Sequence, residues 1–251
     1  MFPDNHVSLV TGASTGIGAA TAVSLARSGS RVAVHYFKSE EAARSVVANI
    51  EAAGGKAFAV QADLADPAAA QSMVREVLSA AGHIDTLVNN AGSMIARRKL
   101  LDITDEFWNE VMETNLGSVL RVTRAVAPSM MERKSGTIIN IASVAARNGG
   151  GPGVMAYATS KAAVACLSKG LAKELAAYGI RVNTVNPGVI TTPFHEKFTT
   201  EAQMRGLVGN IPQGRTGTSE EIASVITFLA SDGSSHIVGE AIDVNGGMWM
   251  G

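Results

Sequence analysis

Thr11-Gly12-Ala13-Ser14-Thr15-Gly16-Ile17-Gly18 follows a short apolar run, Ser8 to Val10, and leads straight into an amphipathic segment, Gly16 to Ser28. Glycines let a backbone turn tightly and come close to a pyrophosphate, and a helix that follows offers the anion its free N–H groups and positive dipole end. In isolation such a turn is a weak signal. Between the first strand and first helix of an alternating chain it predicts nucleotide binding, with Gly12, Ser14, Thr15, Gly16, Ile17 and Gly18 as contact residues.

The rest of the chain alternates in the same way. Strand-like runs recur at Arg31 to Tyr36, Ala57 to Gln61, Thr86 to Asn89, Thr137 to Ile141, Arg181 to Val185 and Ala241 to Val244. Most are nearly continuous in Val, Ile, Leu and Ala, as expected of parallel strands covered on both faces. Between them Glu40 to Ala53, Pro67 to Ala81, Asp105 to Arg133, Val154 to Tyr178 and Ser219 to Ala230 carry apolar residues at helical spacing. Asp66 is an expected N-cap before Pro67, and Thr218 with Glu221 offers a capping box. Pro128 is expected to kink or loosen the long third helix. Strand and helix in alternation predict right-handed crossovers and an α/β fold: one doubly wound, seven-stranded parallel sheet with helices on both faces. With no low-complexity tract or linker, residues 1–251 read as a single domain.

Composition bounds the function. The 251 residues carry a formal net charge of −1, which gives no electrostatic case for a nucleic-acid or acidic-membrane partner. A chain of this length buries roughly 75% of the surface its unfolded form exposes, so it needs no disulfide or metal to hold a core. The lone Cys166 lies in an apolar helical pattern, where a buried core position is expected and a reactive thiol is the alternative. Met1-Phe2-Pro3-Asp4 lacks the basic and apolar stretches of a secretory signal, and no run approaches the roughly 18 apolar residues that span a bilayer. The expected setting is cytoplasmic.

The second strand ends in Val34-His35-Tyr36-Phe37-Lys38-Ser39. A cofactor lacking the 2′-phosphate usually meets an Asp or Glu there, and none is present. Tyr36, Lys38 and Ser39 are the expected contacts, and the absent carboxylate favours NADP(H) over NAD(H); a solvated loop cation is the alternative reading of Lys38. After the third strand, Asp63 is placed to accept from an adenine amino group with the Leu64 backbone beside it, unless it only caps its own turn. Asn89-Asn90-Ala91-Gly92 ends the fourth strand, where small residues permit close approach to the cofactor; Asn89, Ala91 and Gly92 are the candidate contacts.

Tyr157 and Lys161 lie four apart in a helical pattern and so share one face. Tyrosine ordinarily titrates near pH 10, too high for easy proton exchange at neutrality, and a nearby ammonium favours the phenolate. Ser143 at the end of the fifth strand and Asn115 in the preceding helix strengthen the pair. With Thr11-Gly12-x-x-x-Gly16-x-Gly18, Asn89-Asn90-Ala91-Gly92, Asn115, Ser143, Tyr157-x-x-x-Lys161 and Pro187-Gly188 in this order and spacing, the chain resembles the short-chain dehydrogenase/reductase family from Thr11 to Gly246-Gly247. It looks most like that family's 3-oxoacyl-acyl-carrier-protein reductase and glucose-dehydrogenase-like branch.

The resemblance implies a Rossmann domain that passes a hydride between a nicotinamide cofactor and a ketone or secondary alcohol. Tyr157 would be general acid in reduction and general base in oxidation, and Lys161 would lower its pKa and hold the nicotinamide ribose. Ser143 would hold the substrate oxygen, and Asn115 would anchor a water linking Lys161 to solvent. Pro187, Gly188, Val189, Ile190 and Thr192 would wall the nicotinamide. One departure concerns Thr15, where NADP-preferring relatives often carry Arg or Lys. An NAD(P)-dependent sugar or polyol dehydrogenase is the alternative enzyme. A non-catalytic dinucleotide sensor would be expected to lack Tyr157 or Lys161.

Between Thr191 and Pro212 the alternation breaks, where an irregular or weakly helical substrate lid, about 190–212, is expected. Phe194, Phe198, Met204, Leu207 and Val208 either line an apolar pocket or pack a short helix onto the domain. His195 beside Glu196 has no partner ligands, so no metal site is expected. Arg147 to Gly153 forms the opposite rim. Arg97, Arg98 and Lys99, like Arg121, Arg124, Arg133 and Lys134, read either as solvated charge or as attraction for an acidic substrate or carrier. The family implies a homotetramer, with the two long helices at one interface and Met248-Trp249-Met250 at another or folded back on their own subunit.

Overall fold

A computed structural model describes residues 1–251. Seven strands, β1 (Val7–Val10), β2 (Arg31–Tyr36), β3 (Lys56–Gln61), β4 (Thr86–Asn89), β5 (Gly136–Ile141), β6 (Ile180–Pro187) and β7 (Ala241–Val244), form one sheet in the order β3-β2-β1-β4-β5-β6-β7. Every neighbouring pair is parallel. The chain builds outward from β1 to β3, then returns to the other side of β1 with β4. A crevice therefore opens at the carboxyl ends of β1 and β4, where ligands bind in sheets of this kind.

Helices α1 (Gly16–Arg27), α2 (Glu40–Ala52) and α10 (Ser219–Ala230) cover one face of the sheet, and α3 (Pro67–Ala81), α5 (Ser118–Arg133) and α7 (Met155–Leu175) cover the other. The two resulting cores are nearly equal, with 20 and 19 buried residues, which is why most strands read apolar along their length. Leu25, Ile50, Ile222 and Ile226 fill the first; Met73, Val77, Met130 and Ile180 fill the second. Both expected caps form. Asp66 accepts from the Ala68 N–H at 2.8 Å, and the Thr218–Glu221 box closes with bonds of 3.2 and 2.8 Å. No helix is long and apolar enough to cross a membrane.

Three expectations change. Asp105 to Arg133 is α4 (Asp105–Met112), a π turn (Glu113–Gly117) and then α5, which continues through Pro128. Pro128 and Arg124, whose carbonyl loses its partner, are both exposed, so water can satisfy that carbonyl and the helix need not break. The apolar run of β6 ends at Val185, yet Pro187 still pairs with Val244 and accepts the Val144 N–H at 2.8 Å. Cys166 is exposed rather than core, because α7 is apolar on its outer face as well as on the face that meets the sheet. The break at 191–212 folds as two helices, α8 (Pro193–Phe198) and α9 (Glu201–Gly209), across the cleft from short α6 (Ala145–Asn148).

Candidate active site

The glycine-rich turn is fixed from two sides. Thr11 Oγ1 accepts the Asn90 and Ala91 N–H groups at 3.0 Å, and Asn90 Nδ2 donates to the Thr11 and Gly12 carbonyls at 3.0 and 2.9 Å. From the other side, the Gly12 N–H donates to His35 Nδ1 at 3.0 Å. Gly12 has φ +60°, and a Cβ there would lie 2.9 Å from Ala91 Cα, so only glycine fits. Thr15 makes no side-chain cap on α1, and the first main-chain bond runs from Ala19 to Thr15 at 3.2 Å. The N–H groups of Gly16, Ile17 and Gly18 are left without protein acceptors at the positive end of a helix, a fit for a pyrophosphate.

A cleft of about 1290 Å³ runs from this turn to α8 and α9. That exceeds the roughly 300–1,000 Å³ of a common small-ligand pocket and suits a dinucleotide with a substrate beside it. Every candidate catalytic or cofactor-binding residue lines it except Gly18, Asn89 and Asn115. Gly18 lies behind the turn, where a Cβ would collide with the Gly12 carbonyl. Asn89 is a correction: its amide donates to Thr123 Oγ1 and Asn140 Oδ1 at 3.0 and 2.8 Å inside the sheet, and Asn90 faces the cleft instead. At the β2 tip, Lys38 and Ser39 are exposed and open to the cleft with no carboxylate among Tyr36 to Ser39. Asp63 caps its own turn, accepting the Ala65 N–H at 2.9 Å, while also lining the cleft.

At the other end, α7 carries Tyr157 and Lys161 on one face. Lys161 is buried, donates to the Ile141 carbonyl at 2.8 Å, and places Nζ 5.8 Å from the Tyr157 ring centroid. No side chain fits above it, since a Cβ on Gly92 would lie 3.0 Å from Lys161 Nζ and 2.7 Å from Asn115 Oδ1. Asn115 sits in the π turn with its amide bonded to the Ser93 and Val111 carbonyls at 2.8 and 2.9 Å, which fixes the loop after β4. Burial pushes the Tyr157 phenol up to about 12, with a Ser143 hydrogen bond pulling the other way, and burial brings Lys161 down to about 8. Desolvation thus outweighs the lowering expected from Lys161. Near neutral pH the phenol keeps its proton beside a largely charged amine, a state suited to donating that proton.

The rim is aromatic on one side and glycine-rich on the other. Phe194 lies 5.6 Å from the Tyr157 ring and 5.1 Å from Phe198 between centroids. Phe194 and Leu207 line the cleft; Met204, Phe198 and Val208 do not, and Phe198 packs behind Phe194. Arg97 bridges the two rims, from Nε to the Phe198 carbonyl at 2.7 Å and from Nη1 to the Pro152 carbonyl at 3.3 Å. Much of the basic charge is engaged by other groups of the chain. Arg98 stacks on Phe107, Arg121 pairs with Glu113, Arg133 binds Asp85 at 2.6 Å, and Arg147 binds Asp243 at 3.1 Å. Lys99, Arg124 and Lys134 make no ion pair. His195 Nδ1 lies 3.0 Å from Thr199 Oγ1 within α8 and its C-cap.

Sequence reasoning passed over Asn90, His35 and the bridging role of Arg97. His35 carried a visible signal, as an ionisable residue in the apolar run of β2. The partners of Arg97 lie 55 and 101 residues away in the chain, beyond any local pattern.

Residues 12–249 match the family described as Enoyl-(Acyl carrier protein) reductase. The chain is 43% identical over 243 residues to the 3-oxoacyl-acyl-carrier-protein reductase FabG of Staphylococcus aureus (strain Mu50 / ATCC 700699), covering 96% of this chain and 97% of that protein. It is 42% identical over 248 residues to the protein of the same name from Escherichia coli (strain K12), covering 98% of both. The crystal structure of gox2181 superposes with a TM-score of 0.93 at 34% identity, covering 98% of this chain and 96% of that one.

Proposed function

Because this chain belongs to the short-chain dehydrogenase/reductase family, we propose that it reduces a 3-oxoacyl thioester or a related ketone with NADPH, Tyr157 supplying the proton. The observation that carries this is the buried Tyr157 phenol, set over buried Lys161 and sharing the end of a dinucleotide-sized cleft with Ser143. When bound, the cofactor supplies the hydride that forms the new C–H bond. As the carbonyl π pair moves onto oxygen, Ser143 holds that oxygen and Tyr157 transfers its phenolic proton to it, giving the alcohol. Lys161 keeps a positive charge beneath the emptied phenolate and refills it, through water held at Asn115. Pro187, Gly188, Val189, Ile190 and Thr192 wall the nicotinamide side of the cleft.

NADPH is favoured by the β2 tip, where Lys38 and Ser39 are exposed and no acid stands among Tyr36 to Ser39 to repel a 2′-phosphate. Thr15 supplies no charge, so discrimination rests on that tip alone and NADH remains a weaker substrate. Met94, Val154 and Phe194 give the substrate end an apolar wall, which supports an acyl or alkyl ketone over a polyol.

The test is NADPH and NADH consumption by wild type and Tyr157→Phe with acetoacetyl thioester, crotonyl thioester and simple ketones. NADPH-dependent loss of the acetoacetyl compound, absent in the variant, is the expected result. Preference for the crotonyl thioester would move the protein to enoyl reduction. Full activity of Tyr157→Phe would overturn the mechanism.

A further inference from the structure

His35 is buried in β2 and takes no part in the proposed hydride and proton transfer. Its ring makes two bonds to two different loops. Nδ1 faces the Gly12 N–H at 3.0 Å, and Nε2 lies 3.1 Å from the Ala62 carbonyl. Its own carbonyl accepts the Ala13 N–H at 2.8 Å. An N–H can only donate and a carbonyl can only accept, so the ring has one compatible state: neutral, with a bare Nδ1 and the proton on Nε2.

We infer that His35 is a positioning residue of the dinucleotide cradle, a neutral imidazole that sets the glycine-rich turn and the Asp63–Leu64 loop at a fixed separation. The inference rests on the reading of this cleft as a dinucleotide site. Gly12 opens the turn whose later N–H groups face the pyrophosphate position, and Ala62 immediately precedes the adenine-side pair Asp63 and Leu64. One planar ring between them leaves neither loop free to move alone. Burial holds the ring's pKa down to about 4, opposed only by the Ala62 carbonyl, and no acidic or basic side chain contributes. Protonating Nδ1 would set a donor against the Gly12 N–H, so the cradle requires the neutral ring.

Two substitutions separate the bonds. Asn places an acceptor near the Nδ1 position and Gln an amide N–H donor near Nε2, so His35→Asn keeps only the Gly12 bond and His35→Gln only the Ala62 bond. Fluorescence titration with NADPH is expected to show about a tenfold rise in Kd for His35→Asn and for His35→Gln, each of which loses one buried hydrogen bond, and about a hundredfold rise for His35→Leu, which loses both. In steady state the loss falls on KM for NADPH far more than on kcat. Equal losses in all three variants, or equal loss in kcat, would reduce His35 to a core residue and overturn the inference. If the variants do not fold, ¹⁵N chemical shifts of the wild-type ring decide: a protonated Nδ1 between about pH 5.5 and 8 is incompatible with it. Failure of wild type to bind any dinucleotide would instead remove the cleft reading on which it rests.

Discussion

Two ionisable groups withdrawn from water dominate the catalytic end, and their titration sets the direction of the chemistry. Reduction needs a phenol that holds its proton beside a charged amine. Burial pushes Tyr157 up to about 12 and brings Lys161 down to about 8. Reductive kcat/KM at saturating NADPH is therefore expected to be flat through neutrality and to fall as pH rises through about 8, where Lys161 loses its charge. Oxidation of the alcohol needs the phenolate and should rise with pH toward about 12, so one pH–rate series in both directions checks the pair. Tyr157→Phe should lower turnover by about 10²–10⁴-fold while leaving NADPH affinity near its wild-type value. His35 adds an acid-stability prediction. Its folded pKa, about 4, is depressed from 6.5, so the stability its neutral ring contributes is complete above 6.5 and is lost as pH falls toward 4. The full span is roughly 3 kcal/mol, and urea melts of wild type and His35→Asn at several pH values should show a shallower acid slope in the variant. Residue identity was legible here where spacing carried it, as for Tyr157 and Lys161. It was not for Asn89 and Asn90, because adjacent asparagines at a strand end point to opposite sides and the sequence does not say which side holds the cleft.

At the scale of elements, the segments read correctly are those whose periodicity is set by packing, such as β2 and α3, both bounded where their patterns end. The misreadings lie where one hydrogen bond overrides the pattern. The π turn at Glu113–Gly117 leaves the apolar spacing of Asp105 to Arg133 intact, so nothing in that spacing announces it. Its visible cause is Asn115, whose amide reaches back to Val111 and across to Ser93. The pair α8 and α9 depends on tethers as much as on burial, since neither contains a fully buried residue. Arg97 is the longest-range tether, and its bond to the Phe198 carbonyl also caps the C-terminal end of α8 with a cation. Arg97→Ala should speed hydrogen exchange across α8 and raise KM for the ketone several-fold, with NADPH affinity little changed. Unaltered exchange in α8 would show that Phe194 and Phe198 hold the lid without it. Thr218→Ala, which removes half of a capping box, should cost about 1 kcal/mol in a denaturant melt and leave kinetics unaffected.

Across the whole molecule, the alternation of the chain made the sheet and its switch point legible, while the outer surface stayed ambiguous because an apolar residue on a helix reads the same against a sheet or against a neighbour. Cys166 shows this directly: it sits in an apolar helix, yet in the single chain it is exposed. Around the same sheet face, Leu120, Met155 and Tyr178 are also exposed, and a separate group, Phe228, Val238, Trp249 and Met250, lies toward the β7 edge. Two groups of exposed apolar residues on different elements are what two independent two-fold interfaces would cover, and we propose that the chain forms a tetramer with dihedral symmetry. Light scattering should then give four chains per particle at micromolar concentration. The thiol makes the sharper probe. In an assembly that buries the outer face of α7, Cys166 should react slowly with a water-soluble disulfide reagent, and Leu120→Glu should both split the particle and expose the thiol to rapid labelling. Fast, stoichiometric labelling of the wild-type particle would place Cys166 outside the interface and move the contact to the C-terminal group. There, Trp249→Ala should halve the particle without changing the labelling rate.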